Sequence, residues 1–103
     1  MVNEKWTPHT RLHVVKQLVL EGKVRTTGSA LRYALAAGYR EPVLQQMCDA
    51  ILRLQPGDFY KSMTTLADHT IWQDVWHGHD GCMALYIKLT VIDDLLIVSY
   101  KEL

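Results

Sequence analysis

Apolar residues recur every three to four positions along the first half of the chain, and after Gly57 they alternate with polar ones. The first pattern belongs to helices that bury one face, the second to strands that do the same. Thr7 followed by Pro8 has the form of a helix cap with proline at the first helical position, and Leu12, Val15, Leu18 and Val19 keep helical spacing up to Gly22. After an extended link, Lys23-Val24-Arg25-Thr26, a second helix is predicted from a cap at Thr27 or Ser29. It carries Leu31, Ala34 and Leu35 and closes at Gly38. Pro42 opens a third, with Leu44, Met47, Cys48, Ile51 and Leu52 as its apolar stripe and Gln55-Pro56-Gly57 as its stop.

Candidate strands follow near 60–65, 69–76, 83–92 and 95–101. Asp93-Asp94 is predicted as a two-residue hairpin turn, because Asp tolerates the positive φ such turns need. In the register this sets, Tyr86 faces Lys101, Lys88 faces Ser99 and Thr90 faces Ile97 on one side of the sheet. Ile87 with Tyr100, Leu89 with Val98 and Val91 with Leu96 line the other. Joining Trp76 to Met83 across a loop from His77 to Cys82 sets Gln73 against Tyr86, so a polar row of Gln73, Tyr86 and Lys101 crosses neighbouring strands. Any register that buries Trp72 and Trp76 keeps Gln73 on that face. The expected architecture is α+β, with N-terminal helices packed on a mainly antiparallel, twisted C-terminal sheet.

Length and composition bound the rest. A chain of 103 residues, 49% hydrophobic and 21% charged, fits one domain over 1–103 with a core that needs no disulfide or structural metal. Cys48 and Cys82 form no closely spaced set, the N-terminus has no apolar leader, and the longest apolar run, Leu95 to Val98, is far short of the ~20 residues that span a bilayer. A cytoplasmic protein without a membrane segment is expected. Eleven Lys/Arg balance eleven Asp/Glu, which leaves a local patch, not bulk charge, as the route to nucleic acid.

Two apparent constellations carry no chemistry on inspection. His77-Gly78-His79-Asp80 with Cys82 lacks the second ligand pair of a structural zinc site, so it is expected to be a polar hairpin loop. Asp68 and His69 are adjacent in sequence, and nothing orients them toward Ser62 as a triad would require.

Several separated stretches do resemble a known family. Thr7-Pro8-His9-Thr10-Arg11-Leu12, Lys23-Val24-Arg25-Thr26-Thr27, Asp58-Phe59-Tyr60-Lys61-Ser62-Met63-Thr64-Thr65, Asp68-His69-Thr70-Ile71-Trp72-Gln73-Asp74-Val75 and the run from Leu89 to Glu102 closely resemble the MqsR (motility quorum-sensing regulator) family. The resemblance covers nearly the whole chain, in order and spacing. It diverges around helices two and three and after Trp76. It implies a toxin of a toxin–antitoxin pair: a ribosome-independent mRNA interferase with a RelE-like α+β fold, a preference for GCU sites and a cognate antitoxin of the MqsA type. Carried over by position, the family's active-site tyrosine and lysine fall on Tyr60 and Lys61, its methionine on Met63, its glutamine on Gln73, its second tyrosine on Tyr86 and its C-terminal lysine on Lys101. The family commonly has arginine four residues after the glutamine, and this chain has His77.

The chemistry expected of that set is attack of the 2′-OH on the adjacent phosphorus of single-stranded mRNA, with no metal and no cofactor. Lys61, Gln73, Tyr86 and Lys101 are the catalytic candidates, and Tyr60, Met63 and His77 are the substrate contacts. Lysine ammonium groups can stabilise the charge that builds on the phosphorane, and tyrosines can stack on bases. An imidazole in the place of an arginine offers a proton carrier as well as a phosphate contact. The alternative is a binding module, weakened as a catalyst, that acts on RNA or protein through its antitoxin complex. An uncovered sheet edge would suit an antitoxin that adds a strand.

Overall fold

In the computed structural model, which describes residues 2–103, the sheet has strand order β1-β3-β4-β5-β6-β2. Strands β3 (Phe59–Thr64), β4 (Trp72–Asp80), β5 (Met83–Ile92) and β6 (Asp94–Glu102) form the antiparallel meander that the alternation predicts. Two short strands blunt its edges. β1 (Glu4–Lys5) pairs with β3, and β2 (Val24–Thr26) runs parallel to β6, where Leu95 N–H donates to Lys23 O and Thr27 N–H to Ile97 O. Three residues are too few to show a period, which is why this segment reads as a link.

Helices α1 (Leu12–Leu20), α2 (Gly28–Ala36) and α3 (Val43–Leu52) cover one face, so the molecule is α+β as expected. Val15, Ala30, Ala34, Met47 and Ile51 from the helices meet Trp76, Leu85, Ile87, Leu89, Leu95, Ile97 and Tyr100 from the sheet in one buried cluster. Each fully buried Leu or Ile contributes about 1.5–3 kcal/mol by burial. Thr27 caps α2 by accepting from Ala30 N–H at 3.0 Å.

Four details differ from the sequence expectation, each for a physical reason. Helix α1 starts at Leu12, not Pro8; the chain before it is instead fastened to β4, where the N–H groups of His9 and Thr10 donate to the buried Asp74 carboxylate at 3.0 and 2.9 Å. The supposed loop from His77 to Cys82 is mostly strand. β4 runs on to Asp80 and turns at Gly81-Cys82, with φ +61° at Gly81, so Trp76 lies opposite Ile87 and His77 opposite Tyr86. Gly78 is a packing position, since a Cβ there would come within 2.9 Å of Leu54 Cδ2. The last hairpin turns on Asp93 alone, at φ +65°. A bulge then leaves Val98 extra: Tyr86–Lys101, Ile87–Tyr100 and Lys88–Ser99 pair as expected, but Leu89 meets Ile97 and Thr90 meets Leu96. Leu95 and Ile97, not Leu96 and Val98, therefore fill the core. Trp72 is only half-buried, stacked on His9 at 5.7 Å beneath the Lys5 ammonium.

Candidate active site

The sheet face turned away from the helices carries the polar side chains. A bulge in β3, where Phe59 pairs with Trp76 and Lys61 with Val75, leaves Tyr60 as the extra residue and sends it and Lys61 to this same face. Phe59 turns inward, its ring edge-on to Trp76 at 5.2 Å. The Tyr60 ring stacks on His77 at 4.5 Å with planes 18° apart, and His77 is tilted against Tyr86 at 6.3 Å.

Three ammonium groups converge on this aromatic row. Lys101 Nζ lies 5.2 Å from the Tyr86 ring centre, Lys88 Nζ 6.0 Å from the same ring, and Lys61 Nζ 5.6 Å from the Tyr60 ring. Lys101 also reaches Tyr33 of α2 at 5.7 Å. Lys61 is held by Glu4 of β1 at 2.6 Å.

The environment divides these groups by proton affinity. The hydrogen bond that Lys61 donates to the Glu4 carboxylate raises the Lys61 pKa, so this lysine is fixed as a cation. Burial lowers that of Lys88, and the positive charges of Lys101 and Lys61 lower it further. Burial raises that of Tyr86 against the opposing effect of Lys61, so its hydroxyl stays protonated and able to donate at neutral pH. Like charges gathered around a hydrogen-bond donor make a place where an anion relieves repulsion.

Of the residues named from sequence, Tyr60, Lys61, His77, Tyr86 and Lys101 stand together. Gln73 and Met63 share the face but pair with each other along a different row. Gln73 is four residues from His77 along β4, about 13 Å at strand rise, and does not face Tyr86. The row across the central strands is His77, Tyr86, Lys101. His77 lies inside a strand, not in a loop, so its backbone is held by cross-strand pairing.

Sequence reasoning set Lys88 on the face of Tyr86 without making it a candidate, and it missed Glu4. Glu4 had no local signal, because the β1–β3 pairing that brings it to Lys61 spans half the chain. Ser62 is fully buried, its hydroxyl without a hydrogen-bond partner among the described residues. Asp68 accepts from the backbone and hydroxyl of Thr70 at 2.8 and 2.6 Å, so no triad is built. Among the described residues no group of three or more His, Cys, Asp or Glu side chains is placed to hold a metal ion. Nor is any helix among them long and apolar enough to cross a membrane.

The chain matches the profile of a family described as "Motility quorum-sensing regulator, toxin of MqsA" over residues 7–102. It is 54% identical over 99 residues to the mRNA interferase toxin MqsR of Escherichia coli (strain K12), with 96% of this chain and 98% of that protein covered. A match of that span and identity, over both the helices and the polar sheet face, identifies the chain as a member of the MqsR toxin family.

Proposed function

We propose that this MqsR-family protein, a toxin of the mRNA interferase class, cuts single-stranded mRNA independently of the ribosome and without a metal, by attack of the 2′-OH on the neighbouring phosphorus. The observation that carries this reading is the gathering of Lys88 and Lys101 over Tyr86, and of Lys61 over Tyr60, along the row in which Tyr60 stacks on His77. In the reaction the 2′-oxygen forms a bond to phosphorus, the bond from phosphorus to the 5′-oxygen breaks, and the products end in a 2′,3′-cyclic phosphate and a 5′-OH. One proton must leave the 2′-OH and one must reach the 5′-oxygen.

The side chains divide this work. Lys61 and Lys101 stabilise charge on the non-bridging oxygens, and the Tyr86 hydroxyl donates to one of them. His77, fixed across from Tyr86, carries a proton. Lys88, whose pKa is lowered by burial and by the charges of Lys101 and Lys61, joins the proposed proton relay. Tyr60 offers a face to a base. Gln73 and Met63, further along the face, contact a neighbouring nucleotide. The same proposal includes a preference for GCU sites, neutralisation by an MqsA-type antitoxin and residence in the cytoplasm, with the family match as its support.

Defined RNAs incubated with the pure protein, with the cut ends mapped, test the reading. Lys101→Ala and Lys61→Ala should each lower turnover by ~10²-fold or more with the fold intact, and cleavage should persist in excess chelator. Folded variants that cut at wild-type rates, or activity lost in chelator and restored by metal, overturn it. RNA binding without any cutting favours the binding module instead.

A further inference from the structure

Around the β1 edge of the sheet, on the side that carries α1 and not on the lysine face, lies a groove of about 900 Å3 whose lining includes Trp6, Pro8, Arg11, Lys16, Phe59 and the buried Trp76. Its apolar floor is fringed by the cations of Arg11 and Lys16, and among the described residues no carboxylate lines it. In a chain with as many acidic as basic residues, that segregation marks a surface for an anionic partner. Trp76 forms the inner wall, and its indole N–H has no hydrogen-bond partner among the described residues.

Trp6 stands at the corner between groove and active face. It is 70% exposed, the reverse of what burial favours for so large an apolar ring. Its ring meets Tyr60 edge-on at 6.5 Å, Tyr60 stacks on His77 at 4.5 Å, and His77 abuts Tyr86 at 6.3 Å. The aromatic row thus runs continuously from the lysine cluster over the sheet edge to the groove. Rings spaced along a cationic wall form a platform on which successive bases of a single strand can stack while the backbone follows the positive charge.

We infer that this groove binds nucleotides flanking the cleaved bond, a base against Trp6 and the backbone phosphates against Arg11 and Lys16. The inference rests on the polar face being the RNA-cleaving site, and it makes Trp6 a residue that sets how far from the cut the protein reads its substrate.

The test uses RNAs with one cleavable site and flanks lengthened separately on the 5′ and 3′ sides. For wild type, kcat/KM should rise with length on one side. In Trp6→Ala and in the double variant Arg11→Ala/Lys16→Ala the ratio of long to short substrate should fall about 10-fold, and Trp6→Phe should retain most of it. An RNA with 2′-deoxyribose at the cut reads binding without cleavage, so that if wild type cuts nothing the polar-face reading fails while Trp6-dependent binding still judges the groove. Unchanged length dependence in both variants overturns the inference. So does a result in which Trp6→Ala weakens the antitoxin complex and leaves RNA binding unaltered, which would make the groove a protein surface.

Discussion

Asp74 is the residue whose removal should disturb the molecule most for the fewest atoms. Its carboxylate is 3% exposed and accepts one N–H on each oxygen, from His9 at 3.0 Å and Thr10 at 2.9 Å. These bonds fasten the segment between β1 and α1 to β4, so Trp6, Pro8 and Arg11 keep their places and His9 keeps its stack on Trp72. A hydrogen bond to a charged group contributes about 1.5–3 kcal/mol net. His9 is exposed and Thr10 half-buried, so their freed N–H groups can find water, and burying the carboxylate itself has a cost that the variant escapes. The two bonds together should therefore be worth ~2–4 kcal/mol, less than twice the single-bond value because of these offsets. For a domain of this size that corresponds to a Tm lower by about 10–20 °C in Asp74→Ala. Asp74→Asn keeps one acceptor oxygen and should lose about half as much. Thermal melts followed by circular dichroism measure both, with tryptophan emission reporting the exposure of Trp72. An Asp74→Ala protein that melts within about 2 °C of wild type would show that the carboxylate does not hold the segment.

Two further outcomes follow from the structure. Tyr39 donates to Asp80 at 2.6 Å and is hydrogen-bonded to Tyr100; burial pushes Tyr39 up to about 12 and Tyr100 higher still. An unfolded tyrosine loses its proton near pH ~10. Above that pH the folded state binds more protons than the unfolded one, so stability is full below pH ~10 and is lost as pH rises toward 12. The urea midpoint should fall between pH 9 and 11 and fall less in Tyr39→Phe/Tyr100→Phe; equal slopes in both proteins refute this. His77→Arg, which puts a permanent charge across from Tyr86, should steepen the salt dependence of RNA binding by about 0.7 in log–log slope. If His77 carries a proton it should also remove the acid limb of the pH–rate curve, and an unaltered limb rules that role out.

Much of the fold was legible because each element carried its own period. Helices α2 and α3 and the meander from β3 to β6 follow from spacing and punctuation alone. The failures lie where a distant residue overrides a local signal. Thr7-Pro8 looks like a helix start, but the segment is tied to β4 through Asp74, 64 residues away from Thr10, and the helix begins at Leu12. Gly78 looks like a turn, but Leu54 from the segment after α3 packs where its side chain would be. The bulges at Tyr60 and Val98 each insert one residue and reverse the alternation beyond, which no period-two reading detects. The active face survived these errors because pairing near Tyr86 and Lys101 lies beyond the Val98 bulge from the turn. Gln73 kept its face, but its row was wrong, since parity fixes a side and only the turn position fixes a partner.

The balance of charge has the same character: it is true of the total and misleading at the site. Acidic residues here are largely occupied with structure. Asp58 accepts from Gln55 N–H at 2.8 Å, Asp68 closes its turn on Thr70, Asp74 fastens the entry to α1, and Asp80 takes the Tyr39 hydroxyl and pairs with Arg53. Lys61, Lys88 and Lys101 are gathered on one sheet face with Glu4 against the first of them, and Arg11 and Lys16 line the groove around the β1 edge from it. Counterion release depends on the phosphates a surface neutralises, not on charges elsewhere in the chain. A neutral protein can therefore bind RNA with the salt sensitivity of a small basic patch. Glu4 offsets one of those charges and at the same time holds Lys61 charged and in place, so the patch is smaller than its count of lysines implies.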